Sequence, residues 1–145
     1  MSADQRPYGT GDASFQAAGG YEGIKRLVDD FYDIMQARED AQRILRMHPR
    51  DLDVSRDKLT RFLCGWTGGP KLYSEKYGSI TIPGVHAHLD IAEAERDAWL
   101  ACMQDALAQQ PYAEDFKAYL LRELGVPAER VRIMAQKRKA ASKAG

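Results

Sequence analysis

The sequence predicts an all-α domain, and three observations carry that reading. Between Tyr21 and Ala37 the apolar residues Ile24, Leu27, Val28, Phe31 and Met35 recur at the i, i+3, i+4, i+7 spacing of one helical face. Ser79 to Val85 comes nearest to alternating at period two, and it does not alternate convincingly enough for a strand. Glycine and proline, the strongest local punctuators, cut the chain into pieces of helical length.

Residues 1–13 are polar and glycine-bearing, and a loosely held tail is expected there. Ser14 to Ala18 reads as a short helix ended by Gly19-Gly20. The helix from Tyr21 to Ala37 follows, with Tyr32 beside Phe31 toward the buried side. Asp40 to Met47 forms a short helix halted at His48-Pro49, because a residue before proline avoids helical ψ. The next helix starts near Val54 or Ser55, carries Leu59, Phe62, Leu63 and Trp66 as its apolar stripe, and is stopped by Gly68-Gly69-Pro70. From there to Ile91 the chain reads as one long structured loop. Some twenty residues of poorly periodic chain in a small domain are more often functional than idle, and this stretch ends by delivering His86.

The strongest helix spans Ala92 to Gln109. Glu93 and Glu95 favour its N-terminus, and Ala98, Trp99, Cys102, Met103, Ala106 and Leu107 form its inner face. Pro111 lies just beyond. A helix from Ala113 to Leu124 should end at Gly125, and Pro127 suits the first turn of a last helix. Residues 137–145, KRKAASKAG, read as a solvated basic tail. One domain over residues 14–136 is therefore expected between two tails.

At 145 residues the chain suits one domain with a sizeable core, and 44% hydrophobic with 29% charged residues is ordinary for a soluble globular protein. Zero formal net charge supplies no global field toward nucleic acid or an anionic membrane, so neither partner is expected. No apolar run approaches the ~20 residues of a membrane helix. The N-terminus has no apolar h-region of a secretory signal. Cys64 and Cys102 form neither a CxxC pair nor a disulfide framework, which fits small core residues in a reducing cytoplasm.

The three histidines are His48, His86 and His88. No catalytic triad, nucleophile elbow or phosphate loop accompanies them. His86-Ala-His88 places its imidazoles at i and i+2, which do not share a helix face, and the short-spaced cysteines of closed zinc sites are missing. A single neutral imidazole reached through a tight loop on an all-α scaffold is what a haem iron needs on its proximal side. By residue chemistry alone, however, a lone histidine is more often structural. Tyr32 and Trp99 at helical spacing likewise read as core aromatics whose polar tips find backbone partners.

At Phe31-Tyr32, His48-Pro49, Phe62-Leu63, Gly68-Gly69-Pro70, Leu72-Tyr73, Gly78, His86, Ile91 and Ala98-Trp99-Leu100-Ala101-Cys102-Met103, the chain resembles the truncated haemoglobins of group II. The likeness in order and spacing runs from about Tyr21 to Leu124. It implies a truncated globin fold, a two-over-two α-helical sandwich around one haem b (iron protoporphyrin IX). It also implies that His86 is the proximal ligand to the metal, that Tyr32 is the distal tyrosine, and that Trp99 is the group's characteristic tryptophan. His48, Ser55 and Leu59 would complete the distal side. Leu59, Phe62, Leu63 and Met103 would pack against the porphyrin.

The chain departs from the group's pattern on the proximal side. Val85 and Pro83 stand where the group commonly has arginine, and Leu89 where phenylalanine is usual. The haem propionates must then find other partners, for which Tyr73, Lys71 and Lys76 are the candidates. Leu59 offers no hydrogen bond, so a ligand network would depend on Tyr32, Trp99 and His48. His48-Pro49 reads equally as a helix terminus.

The resemblance implies a cytoplasmic haem protein that binds O2 reversibly, with NO and CO as further ligands. Two alternatives stand beside it. One is a haem enzyme, an NO dioxygenase or a peroxidase-like detoxifier, which would need a reductase this chain does not encode. The other is a cofactor-free helical interaction domain. A monomer and a weak homodimer both remain open.

Overall fold

Helix α2 (Gly20–Ala37) is the element around which the others pack. Its sequence stripe becomes the core: Ile24, Leu27, Val28, Phe31 and Met35 are all at most 1% exposed. A short helix α1 (Ala13–Ala17) precedes it, and the two are joined so closely that Gly23 has no room for a side chain. A Cβ at Gly23 would lie 1.9 Å from the Ala18 carbonyl oxygen. The computed structural model describes residues 6–78, 89 and 91–144.

After α2 the chain makes a 3-10 turn (Glu39–Ala41) and a short helix α3 (Gln42–Arg46), and leaves α3 at His48-Pro49. Helix α4 (Asp53–Trp66) lies against α2, and a short α5 (Leu72–Tyr77) lies against α4. Helix α6 (Glu93–Ala108) also packs on α2, and α7 (Glu114–Ala144) packs on α6. The pair α2–α4 and the pair α6–α7 are joined through the α2–α6 contact. The fold is thus a two-over-two α-helical sandwich, with no β-strand among the described residues. Its shared interior holds Leu63, Cys64, Cys102, Met103, Phe116 and Leu120. None of the described helices is long and apolar enough to cross a membrane.

Two expected elements differ. The long loop after Pro70 contains α5, tied to α4 by its own side chains. The expected break at Gly125 and fresh start at Pro127 do not occur, for α7 runs through both. Gly125 stays helical instead of turning left-handed. Pro127 forfeits one backbone hydrogen bond, a local penalty that ordinarily bends or ends a helix. Packing on both sides overrides it: Leu124 is buried before the proline and Ala135 after it. Arg96 of α6 donates to Glu129 at 2.8 Å, and Gln136 donates to the Ile91 carbonyl at 2.8 Å. Residues 137–141 continue this helix with exposed side chains.

The N-terminal segment from Arg6 onward is anchored. The Tyr8 ring centroid lies 5.0 Å from that of Phe116 and 5.2 Å from that of Tyr119, and its hydroxyl donates to Asp115 at 3.0 Å. This path explains the glycines after α4. Gly68 sits at φ +93°, and a Cβ there would lie 1.9 Å from the Gly11 carbonyl oxygen. Gly68-Gly69 therefore both ends α4 and lets the N-terminal segment cross it.

Candidate functional site

Four rings from three parts of the chain meet where α2, α6 and the corner after α3 come together. Phe31, fully buried in α2, packs edge-on to Trp99 of α6 with ring centroids 5.1 Å apart. Phe31 and its neighbour Tyr32 pack edge to face at 5.0 Å, and Tyr32 meets the His48 ring at 5.5 Å. Such edge-to-face packing places the positive edge of one ring on the negative face of the next.

Tyr32 is only 5% exposed, while Trp99 is half-buried. Neither the Tyr32 hydroxyl nor the Trp99 indole N–H has a hydrogen-bond partner among the described residues. No buried side-chain donor or acceptor is orphaned among those residues, so both groups open onto accessible space instead of packed core. Burial pushes the Tyr32 phenol well above its ordinary pKa, against an opposing pull from the Arg56 cation. At neutral pH it is a protonated donor.

His48 follows the last turn of α3. Its Nδ1 lies 2.8 Å from the Ile44 carbonyl oxygen, an acceptor only, so Nδ1 carries a proton, and in the neutral tautomer the lone pair is on Nε2. Leu63 and Met103 are fully buried beneath the cluster, whereas Leu59, Phe62 and Leu72 pack on the core while remaining partly exposed. Phe62 stacks on Trp66 with centroids 6.5 Å apart. Ser55 is half-buried on the first turns of α4.

The arrangement is an apolar wall with two neutral donors beside it, which fits a flat apolar group bearing one polar reacting centre, as haem does. A separate cleft of 330 Å³, lined by Gly9, Gly11, Trp66, Tyr119 and Glu123, includes none of the four rings. Its Ser14 hydroxyl is already taken by the Gly9 N–H at 2.9 Å.

On the α5 side, Asp57 accepts hydrogen bonds from Tyr77 at 2.6 Å, Lys76 at 2.9 Å and Arg61 at 3.0 Å. Burial raises this carboxyl, but the three donors outweigh that effect and hold its pKa at about 2. Lys76, one of the expected propionate partners, is thus already engaged by a carboxylate. Tyr73 packs on Tyr77 at 5.1 Å, and Lys71 is exposed at the start of α5. His86 lies outside the described residues, as do His88, Val85 and Pro83.

Arg56 and Asp57 escaped the sequence reading. A signal for Arg56 was present: Asp29 and Asp33 flank Tyr32 at i−3 and i+1, and two carboxylates on that face of α2 call for a cation.

Comparison with known proteins agrees with this architecture. The bacterial-like globin family matches residues 13–127. The group 2 truncated hemoglobin YjbI of Bacillus subtilis is 31% identical over 117 residues, covering 81% of this chain and 86% of that protein. The group II 2-on-2 hemoglobin of Agrobacterium tumefaciens superposes with a TM-score of 0.79 at 27% identity, covering 90% of this chain and 98% of the other. The truncated oxygen-avid haemoglobin of Bacillus subtilis superposes with a TM-score of 0.73 at 30% identity, covering 81% and 97%.

Proposed function

The chain belongs to the bacterial-like globins, as a haem-binding truncated haemoglobin of group II, and from that membership we propose that it reversibly binds O2 at a haem b iron held by His86. NO and CO are further ligands on this reading, and the cytoplasm is its setting. Haem, when bound, supplies the iron that takes the diatomic ligand.

The observation that carries the proposal is a pair of donors with no hydrogen-bond partner among the described residues, the Tyr32 hydroxyl and the Trp99 indole, on rings that both pack against Phe31. Bound O2 takes partial negative charge, and neutral donors aimed at it from a water-poor site are worth more than in water. Leu59 and Phe62, which keep exposed apolar surface, cover the porphyrin and exclude water, with the fully buried Leu63 and Met103 packed behind them. Each Å² of apolar surface they hide contributes about 25 cal/mol. Ser55 and His48 complete the distal wall, and Tyr73 and Lys71 serve the propionates. The oxygen-avid relative from Bacillus subtilis supports O2 as the first ligand.

An absorption spectrum of the purified protein tests this, taken ferric, then reduced without air, then exposed to O2 and to CO. Haem bands that shift reversibly with each gas are expected. A colourless protein that takes up no added haemin would overturn the reading and favour a cofactor-free interaction domain.

A further inference from the structure

Tyr32 has a cover that the sequence reading did not anticipate. The Arg56 guanidinium lies over its ring, with Cζ 5.7 Å from the centroid. Three hydrogen bonds fix that guanidinium to α2: to the Asp29 carbonyl at 3.0 Å, the Asp29 carboxylate at 3.2 Å and the Asp33 carboxylate at 2.8 Å. Asp29 and Asp33 sit in the same turns of α2 as Tyr32, so the clamp is anchored to the backbone that carries the phenol. The Arg56 side chain is 22% exposed, placing it between the ring and solvent.

We propose that Arg56 is a positioning residue for the ligand-binding phenol: it fixes the plane of the Tyr32 ring and strengthens its O–H as a hydrogen-bond donor. This rests on the O2-binding reading of the site. A cation on a ring face is held by the ring quadrupole, so the Tyr32 ring, with Phe31 and His48 packed edge-to-face against it, resists tipping. A positive charge beside a phenol also stabilises the negative charge that builds on its oxygen as it donates. The geometry calls for arginine in particular. A planar fork can bond two carboxylates and a carbonyl while lying over an aromatic face, and a lysine ammonium cannot do both.

The bland alternative is that Arg56 only ties α4 to α2. The test uses the haem-loaded full chain as wild type, Arg56→Met, Arg56→Lys, Asp33→Asn, Tyr32→Phe and the double variant Tyr32→Phe/Arg56→Met. O2 and CO release rates are measured together with the infrared stretching band of bound CO. Arg56→Met should speed O2 release about two- to fivefold, with CO release nearly unchanged. It should also move the CO band toward its position in Tyr32→Phe. Asp33→Asn, at an exposed carboxylate that loosens the clamp without removing it, should move the band in the same sense. Arg56→Lys should fall between wild type and Arg56→Met. In the Tyr32→Phe background, Arg56→Met should add nothing. The proposal is overturned if Arg56→Met leaves rates and band at wild-type values while Tyr32→Phe alters both. It is equally overturned if the Arg56→Met effect persists in the double variant, which would mark a helix tie. If Tyr32→Phe itself changes neither O2 release nor the band, the donor role of Tyr32 falls, and this inference with it.

Discussion

The rings of Tyr32 and His48 meet edge to face, with centroids 5.5 Å apart and planes at 84°. One ring comes from the middle of α2 and the other from the corner after α3, so two independently anchored polar aromatics converge on one wall of the site. Only Tyr32 brings a hydroxyl proton to donate.

The donor role of Tyr32 gives the first prediction. A hydrogen bond to a partly charged ligand is worth about 1.5–3 kcal/mol. Tyr32→Phe keeps the packing against Phe31 and removes only the hydroxyl, so O2 release should quicken by about one to two decades. CO, a less polar ligand, should be much less affected. Trp99→Phe should act in the same direction. Equal acceleration for both gases, followed by stopped flow, would point to steric gating.

A second prediction concerns His86. As the only protein ligand proposed for the proximal side, it should be essential for holding the haem. His86→Gly should lose haem or retain it weakly, and added imidazole should partly restore the spectrum by standing in for the missing ring. Unchanged haem content and an unchanged ferrous spectrum in His86→Gly would remove the assignment.

Much of the fold was legible because helical periodicity is a local property. The stripe Ile24 to Met35 needed nothing beyond its own spacing to announce α2, and it is the buried face. Helix α5 was illegible because six residues are too few to show a 3.6-residue period. The continuity of α7 was illegible for a different reason. The local signal at Pro127 is real, but it is outweighed by Glu129 meeting Arg96 and Gln136 meeting Ile91, partners more than thirty residues away along the chain. At the site, order and spacing singled out Tyr32 and Trp99 only through likeness to a family. Taken alone they read as core aromatics, and their rings do pack on the core. The carboxylates of Asp29 and Asp33 called for a cation, but which one stayed hidden because Arg56 reaches them from another helix.

The Asp57 hub predicts a particular acid response. Its carboxyl sits at about 2 in the folded chain against an ordinary 3.8, the direction set by Tyr77, Lys76 and Arg61 overcoming burial. A depressed folded pKa means the contribution is complete above the unfolded value, near pH 4, and is lost as pH falls toward about 2. Asp57→Asn should therefore lower the urea midpoint at neutral pH. The gap between variant and wild type should narrow as the pH is brought from about 4 to about 2. A gap of constant size across that range would show that the ionised carboxylate is not what joins α5 to α4.

The last prediction concerns the ligand-free iron, which a distal side chain could close. His48 and Tyr32 are the candidates, and their chemistry separates them. A neutral imidazole binds ferrous and ferric iron alike, through the nitrogen that keeps its lone pair. With Nδ1 committed to the Ile44 carbonyl at 2.8 Å, that atom is Nε2. Phenolate prefers ferric iron, since its proton must leave, and burial holds the Tyr32 phenol well above its ordinary pKa. For His48 to reach the iron, α3 and the corner at Pro49 would have to shift, carrying the Ile44 contact or breaking it. That cost competes with the bond gained, so a mixture of five- and six-coordinate species is expected. In the ferrous protein a low-spin fraction should appear at neutral pH and vanish in His48→Ala. A ferric component that grows with rising pH should vanish in Tyr32→Phe. A ferrous spectrum that stays purely five-coordinate from neutral to alkaline pH would exclude closure by histidine and leave His48 as a wall of the pocket, its ring held edge-on to Tyr32 by the end of α3.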